Sequence, residues 1–530
     1  MKTKGQVVIV GAGMAGLTAG AYLTRDGYQV LLLEKNDRSG GLVNTFDQQG
    51  FYFDSGPRAF VNSGMVQPIL KDLNIEGEFL ANTISIGIME DMLRISSMED
   101  IEEYQEILKK HYPENQDEIE KIITSIRKLS EYTRVLYEFD NPNFVDIMSD
   151  KQYIFRELLP WMFKFLNATR KMNRYQMPME DFMEGFTDNQ ALIDIITQLF
   201  FRNTPTHFAM GYFYVYQDYF YPKGGTGTLP RLLQDKILET GGEIKLRTQI
   251  REVIPADHKV IDSAGSSYEY DYLIWAADLK TLYQSLNTER LDAGIKDQIQ
   301  TEKDRILASK GAESVFIQFL AVDRPPSYFQ SRGGPHFFYS PSSKGLGDIH
   351  RERRQALLAD GETVSKAEII SWLNDFCQYN TFEVSIPALR DPTLAPGGKT
   401  GIMISCLADY QLFKKIEKAG WYDEFKGHME KKIINVFSQT IYPNFKEDIL
   451  FQFSSTPLTI KKVSGSSQGA ITGWSFETDI PVIDKLKNVP KSPLTPIPEV
   501  YQAGQWAYAP SGVPIAMLTG WYATQKIIKG

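Results

Sequence analysis

The residues Val7-Val8-Ile9-Val10 run directly into Gly11-Ala12-Gly13-Met14-Ala15-Gly16, and this stretch leaves the backbone little choice. A short continuous apolar run predicts a strand buried on both faces, as in a parallel sheet. Each glycine then has a job. Gly11 permits a tight strand-to-helix turn, Gly13 lets a pyrophosphate approach the backbone, and Gly16, with Gly20 behind it, lets the helix pack closely on the sheet. Ala15, Ala19, Gly20 and Leu23 form the small inward face of that helix, and a second strand, Gln29 to Leu33, ends on Glu34. The free amides and positive end of the helix favour an anion. Glu34 falls close to the offset at which a carboxylate accepts hydrogen bonds from ribose hydroxyls. The unit therefore reads as a dinucleotide site with Gly11, Gly13, Met14, Ala15, Gly16, Glu34 and Lys35 as candidate contacts. A glycine turn without a nucleotide is the bland alternative, and the flanking strands and spaced acid argue against it.

A chain of 530 residues exceeds one compact core, so two or three domains are expected. The formal charge of −9 argues against nucleic acid as the main partner. Cys377 and Cys406 stand alone, with no CxxC or Cys/His cluster; neither a disulfide framework nor a metal site is expected, and a reducing, cytoplasmic compartment fits. The first strand begins by Gln6 with no signal peptide before it, and no apolar run is long enough to span a bilayer.

After Glu34 the chain carries Gly40-Gly41 and then Phe53-Asp54-Ser55-Gly56-Pro57. Taken with the glycine turn and Glu34, this series resembles the FAD-binding start of the flavin amine oxidase and phytoene desaturase superfamily. The resemblance implies FAD as cofactor and adds Gly40, Gly41, Gly56, Pro57 and Arg58 to its contacts. The chain departs from the pattern at Leu42, where many relatives carry a basic residue. Tyr221-Pro222-Lys223-Gly224-Gly225, a helix to about Glu239, Gly241-Gly242 and a strand from Glu243 follow the order of the phytoene desaturase branch, and amine oxidases usually lack so clear a YPxGG element. Val253, in the next short strand, joins the implied cofactor contacts. So does the tail, where Gly504 ends a strand and Pro510-Ser511-Gly512-Val513-Pro514 leads into the closing helix; Ser511 departs from the family's P-G-x-G-V-P. Thr456-Pro457 through Gly473-Trp474 is similar to a segment that approaches the flavin in that branch.

The fold class expected is α/β, a discontinuous Rossmann-like FAD/NAD(P)-binding domain with an inserted helical region and a second, mixed-sheet substrate domain. Residues 1–89, 222–282 and 494–530 make the FAD-binding domain. Residues 90–221 make a helical cap, and 283–493 the mixed sheet, with strands expected at Ser314–Leu320, His336–Tyr339, Ala367–Leu373, Gly401–Cys406 and Ile449–Ser454. Residues 66 to 200 read mostly as helices. Within them, 151–177 sets basic residues among aromatics and leucines, which suits an interfacial helix on an anionic bilayer; a domain-packing helix with snorkelling bases is the alternative.

The resemblance implies desaturation, saturation or flavin-assisted isomerisation of C=C bonds in an apolar polyene or isoprenoid. Phe208, Tyr212, Tyr219, Tyr221 and Trp474 are the candidate substrate contacts, although the aromatic run 200–221 reads equally well as packing against the FAD domain. His207 reads as hydrogen-bonded structure. Asp181, Glu184 and Asp188, at i, i+3 and i+7, would share a helix face, either solvated or aimed at the pocket. No catalytic acid or base stands out. An amine oxidase on a small amine, which predicts a flavin-facing aromatic cage, and a non-enzymatic prenyl-binding flavoprotein are the other readings.

Overall fold

The computed structural model describes residues 4–144, 154–359 and 365–529. Its five-stranded parallel sheet has the order Glu243–Lys245, Gln29–Leu33, Gln6–Val10, Tyr272–Trp275, Val500–Gln502. Three distant parts of the chain thus share one sheet. Gln6–Val10 lies at its centre, with the chain's next strand on one side and a strand from 272 on the other. That reversal of order opens a crevice at the carboxyl ends of the strands.

The helix Met14–Arg25 is buried at every residue from Met14 to Thr24, which explains its small side chains. A Cβ on Gly16 would fall 2.0 Å from the Gly11 carbonyl oxygen, and one on Gly20 would fall 2.8 Å from Ile237 Cδ1. Gly16 therefore closes the helix onto its own turn, and Gly20 closes it onto the neighbouring helix Thr228–Glu239. The last helix, Val513–Lys529, packs on the other side, where a Cβ on Gly520 would meet the Ala15 carbonyl oxygen at 2.3 Å.

The second sheet has seven strands in the order Ile449–Ser455, Ser314–Val322, Thr400–Ala408, Phe382–Ser385, His336–Ser340, Ile84–Ile88, Asp91–Ile95. It is mixed, because His336–Ser340 pairs parallel with Ile84–Ile88 and the other pairs are antiparallel. Alternate side chains take opposite faces. Phe316, Leu320, Phe382, Val384, Ile402 and Ile404 pack in one core with residues of the helices Lys366–Tyr379 and Tyr422–Gln439. Val315, Ile317 and Glu383 take the other face and meet the crevice.

Three expectations change. Ala367–Leu373 is not a strand but part of the helix Lys366–Tyr379, which opens with a reciprocal capping box between Ser365 and Glu368. Its buried Ile369, Trp372, Leu373, Phe376 and Cys377 keep helical spacing, so the local apolar pairs imitate a strand only over a short window. Residues 79–95 are not helical; they hold the strands Phe79–Ala81, Ile84–Ile88 and Asp91–Ile95. The division expected between 89 and 90 falls in the turn of the last two, and that whole hairpin hydrogen-bonds to the seven-stranded sheet. Finally, the helix Met179–Glu184 stops before Asp188, so Asp181, Glu184 and Asp188 do not share a helix face, and all three are exposed to solvent.

Pro160 is the second residue of the helix Leu159–Met172, directly after the π-helical turn Ile154–Leu158, so its ring falls where one helical geometry gives way to the other. On that helix Met162, Phe163 and Leu166 are exposed, Phe163 at 69% and Leu166 at 57%. Residues 151–153 of the basic stretch lie outside the described residues. Among the described residues no helix is long and apolar enough to cross a membrane.

Candidate active site

A cavity of about 470 Å³ runs along the crevice between the two sheets. One end is lined by Glu34, Lys35, Thr248, Gln249 and Ile250. Glu34 ends the second strand and is 5% exposed. Its Oε2 accepts the Ala12 amide at 2.8 Å and its Oε1 accepts the Asn36 amide at 2.9 Å. Each oxygen retains a lone pair that a hydroxyl can reach. Lys35 is held beneath Gly465, where a Cβ would fall 2.8 Å from its Nζ, and burial lowers the pKa of its ammonium.

The middle of the cavity is a cradle. Gly13 has nothing within 4 Å of where its Cβ would stand, and the Cβ of Gly41 would meet only the Gly13 Cα, at 3.3 Å. Gly11, at φ +102°, and Gly41, at φ +60°, hold backbone conformations that glycine alone adopts readily. Two helices begin here. The first bond of Met14–Arg25 runs from the Leu17 amide to the Gly13 carbonyl, and that of Val513–Lys529 from Ala516 to Gly512. The amides before those points have no helical partner, and Gly13, Met14, Ala15, Gly512 and Val513 line the cavity at the positive ends of both helices. Asp278 caps the next helix through Thr281, and its second oxygen accepts the Ser467 amide at 2.7 Å, tying the parallel sheet to the returning segment.

The far end is lined by Gly56, Pro57, Arg58, Val315, Ile317, Glu383, Ile471, Gly504, Gly512 and Val513. Glu383 is the feature sequence reasoning missed, because its strand, Phe382–Ser385, is only four residues long. Its side chain is 33% open and belongs to the cavity lining, whereas His336 and Arg58 beside it are 1% open. Glu383 Oε1 lies 3.0 Å from His336 Nε2, Oε2 accepts the Ser405 hydroxyl at 3.2 Å, and Arg58 Nε stands 3.9 Å from Oε2.

A chain of donors fixes the protons in this cluster. Arg390 can only donate, and its Nη1 meets Asn82 Oδ1 at 2.6 Å. Asn82 therefore turns its Nδ2 toward His336 Nδ1, 3.2 Å away. Nδ1 accepts, so the ring proton sits on Nε2 and is donated to Glu383. Burial lowers the pKa of His336 despite the carboxylate beside it, keeping the ring neutral. Burial raises that of Glu383, but the His336 bond, the charge of Arg58 and the Ser405 hydroxyl together hold it below the usual carboxylate value.

The cavity brings together fourteen of the cofactor candidates: Gly11, Gly13, Met14, Ala15, Glu34, Lys35, Gly40, Gly41, Gly56, Pro57, Arg58, Gly504, Gly512 and Val513. Gly16, Val253 and Pro514 stand outside its lining; Gly16 is sealed against Gly11, and Val253 is fully buried behind the neighbouring Ile250. The aromatic candidates lie one layer back. Tyr219 packs edge-on to His336 and shares a 2.6 Å hydrogen bond with Tyr212, against which Phe208 is packed. Tyr221 donates its hydroxyl to Asp54 Oδ2 at 2.8 Å beneath the Arg390 guanidinium. Trp474 donates to the carbonyl of Trp506, which itself lines the cavity. His207 Nδ1 donates to the Tyr175 carbonyl, a structural bond.

A split parallel sheet, two helix starts on one glycine cradle and an acid at the end of the second strand define an FAD-dependent oxidoreductase, and the residues present fit FAD. Residues 14–358 match the family model described as flavin containing amine oxidoreductase, and the chain belongs to that family. Among curated proteins it is 20% identical to 1-hydroxycarotenoid 3,4-desaturase of a Flavobacterium species, covering 97% of each chain. It is 22% identical to all-trans-retinol 13,14-reductase of Danio rerio, covering 94% of this chain and 82% of the relative. Among solved structures, wild-type putrescine oxidase bound to putrescine shares the fold with a TM-score of 0.57 at 13% identity, covering 99% of both chains.

Proposed function

We propose that this enzyme acts on C–C and C=C bonds of an apolar polyene or isoprenoid lipid, by desaturation, saturation or flavin-assisted cis-trans isomerisation. The observation that carries the reading is the wall opposite the glycine cradle. Val315, Ile317, Ile460 and Ile471 supply an aliphatic surface, and among the described residues that line the cavity there is no tyrosine or phenylalanine. An aliphatic wall suits a hydrocarbon chain. The aromatic residues of that lining are Trp275 and Trp506, without the tyrosines or phenylalanines that would complete a cage for a small amine. Relatives named as carotenoid desaturases and a retinol reductase, matched over nearly the full length of this chain, support the same substrate class.

In this reading Glu34 takes the adenosine ribose. Gly11, Gly13, Met14, Ala15, Gly40 and Gly41 take the pyrophosphate, and Gly56 to Arg58 with Gly504, Gly512 and Val513 border the isoalloxazine. FAD held by these residues would supply the hydride chemistry. The protein's own part is to position the hydrocarbon, exclude water with the aliphatic wall, and hold charge at Glu383 and Arg58. The enzyme works in the cytoplasm and gathers its lipid from a membrane surface. The exposed Met162, Phe163 and Leu166, with Arg156, Lys164 and Arg170 near them, form the contact.

The test is anaerobic. Reduced or oxidised enzyme is offered carotenoids, retinoids and unsaturated fatty acids while flavin absorbance and product masses are followed. A mass change of two marks redox, and equal mass with altered geometry marks isomerisation. Indifference to every polyene together with rapid reduction by amines would overturn the reading.

A further inference from the structure

We propose that Glu383 is the proton-exchanging catalytic residue of this site, and that His336, Asn82 and Arg390 form a positioning relay that aims its carboxylate into the cavity. The inference rests on the polyene reading for its substrate, and on geometry for its residues.

Four observations converge. Glu383 is the one carboxylate lining the aliphatic end of the cavity; the other two lining acids, Glu34 and Asp278, are held by backbone amides elsewhere along it. Its side chain is a third open while its partners are sealed, so the opening is to the cavity. Both oxygens are oriented, Oε1 by His336 and Oε2 by Ser405, and each keeps capacity for a further proton. The relay behind it ends in Arg390, whose Nη1 also donates to the Arg58 carbonyl and whose Nη2 donates to Ser385 at 2.6 Å.

The step balances. At one sp³ carbon of the substrate the C–H bond breaks with both electrons, and the hydride goes to oxidised FAD. At the adjacent carbon the C–H bond breaks, the proton goes to a Glu383 oxygen, and the electron pair left behind becomes the new π bond. The hydrocarbon loses two electrons and FAD gains them. Saturation is the same step reversed, with Glu383 returning the proton. The charged and titratable groups that face Glu383 are His336, Arg58 and Arg390, with Tyr212, Tyr216 and Tyr219 behind them.

Two measurements test the proposal. In single turnover, E383Q is expected to slow flavin reduction by a polyene on the order of 10²- to 10⁴-fold, E383D less, with FAD content unchanged in both. In D₂O the saturating direction should place solvent deuterium in the product, at a rate that falls in E383Q by the same factor as flavin reoxidation. Independently of turnover, selective ¹⁵N-histidine labelling reads the six rings, H336Q identifying the signal. His336 is expected as the neutral Nε2–H tautomer, switching or broadening in N82L. A wild-type enzyme inert to all polyenes sinks the substrate reading alone. Equal rates for active wild type and E383Q, or an Nδ1–H or imidazolium form of His336, overturn the proposal made here.

Discussion

The carboxylate of Glu34 accepts the amide of Ala12 at 2.8 Å, across 22 residues of chain. The bond joins the end of the second strand to the glycine turn after the first, so the acid proposed to meet the ribose also braces the loop proposed to meet the phosphates. Glu34→Ala removes both functions. A hydrogen bond to a charged group contributes about 1.5–3 kcal/mol, which corresponds to a roughly ten- to hundredfold weaker FAD affinity. Isothermal titration of the apoprotein with FAD measures it, and unchanged affinity would contradict the assignment.

Gly13 and Gly16 predict opposite failures. A side chain at Gly13 enters open cavity, so Gly13→Val should leave the melting temperature of the apoprotein within a few degrees of wild type while abolishing bound flavin. At Gly16 a Cβ collides with the Gly11 carbonyl, so Gly16→Ala should destabilise the apoprotein itself by roughly 1–3 kcal/mol. Thermal melts with and without FAD separate the two.

Glu180 provides a pH test away from the cavity. Its Oε2 is buried without a hydrogen-bond partner, and burial, then the nearby Asp181, Glu313 and Asp194, raise its pKa from 4.5 to about 7. The folded state therefore binds the proton more tightly than the unfolded chain, and this group's stabilisation is lost as pH rises from about 4.5 to about 7. Glu180→Gln should match wild type near pH 4.5 and exceed it at pH 8 by at most about 3 kcal/mol. A constant difference across the range would show that Glu180 is not buried as described.

The helix Leu159–Met172 makes a surface prediction. Burying a phenylalanine or leucine side chain contributes about 1.5–3 kcal/mol each, so F163D/L166D should lose at least tenfold in binding to anionic vesicles. Activity on detergent-dispersed substrate should persist. Cosedimentation decides it, and equal binding by the variant would assign the exposed face no membrane role.

How much was legible follows the distance over which the physics acts. The parallel unit at 6–34 was readable because strand burial, the glycine turn and helical period are set by neighbours. Ala367–Leu373 misled because a seven-residue window holds too few positions to distinguish the two periods. Phe382–Ser385 was invisible for the same reason, and with it Glu383.

The sequence by itself determined the cofactor and the glycine turn proposed for its phosphates, since Gly11 and Gly13 act through backbone conformation that neighbours dictate and Glu34 ends the strand beside them. Only the tertiary structure decided the reactive end. Asn82, His336, Glu383 and Arg390 come from separate strands and loops and meet only because the hairpin at 84–95 joins the second sheet beside His336–Ser340. It also moved the aromatic residues of 208–221 from the cavity wall to the layer behind it, because the sheet's alternation turns Val315, Ile317 and Glu383 toward the crevice first.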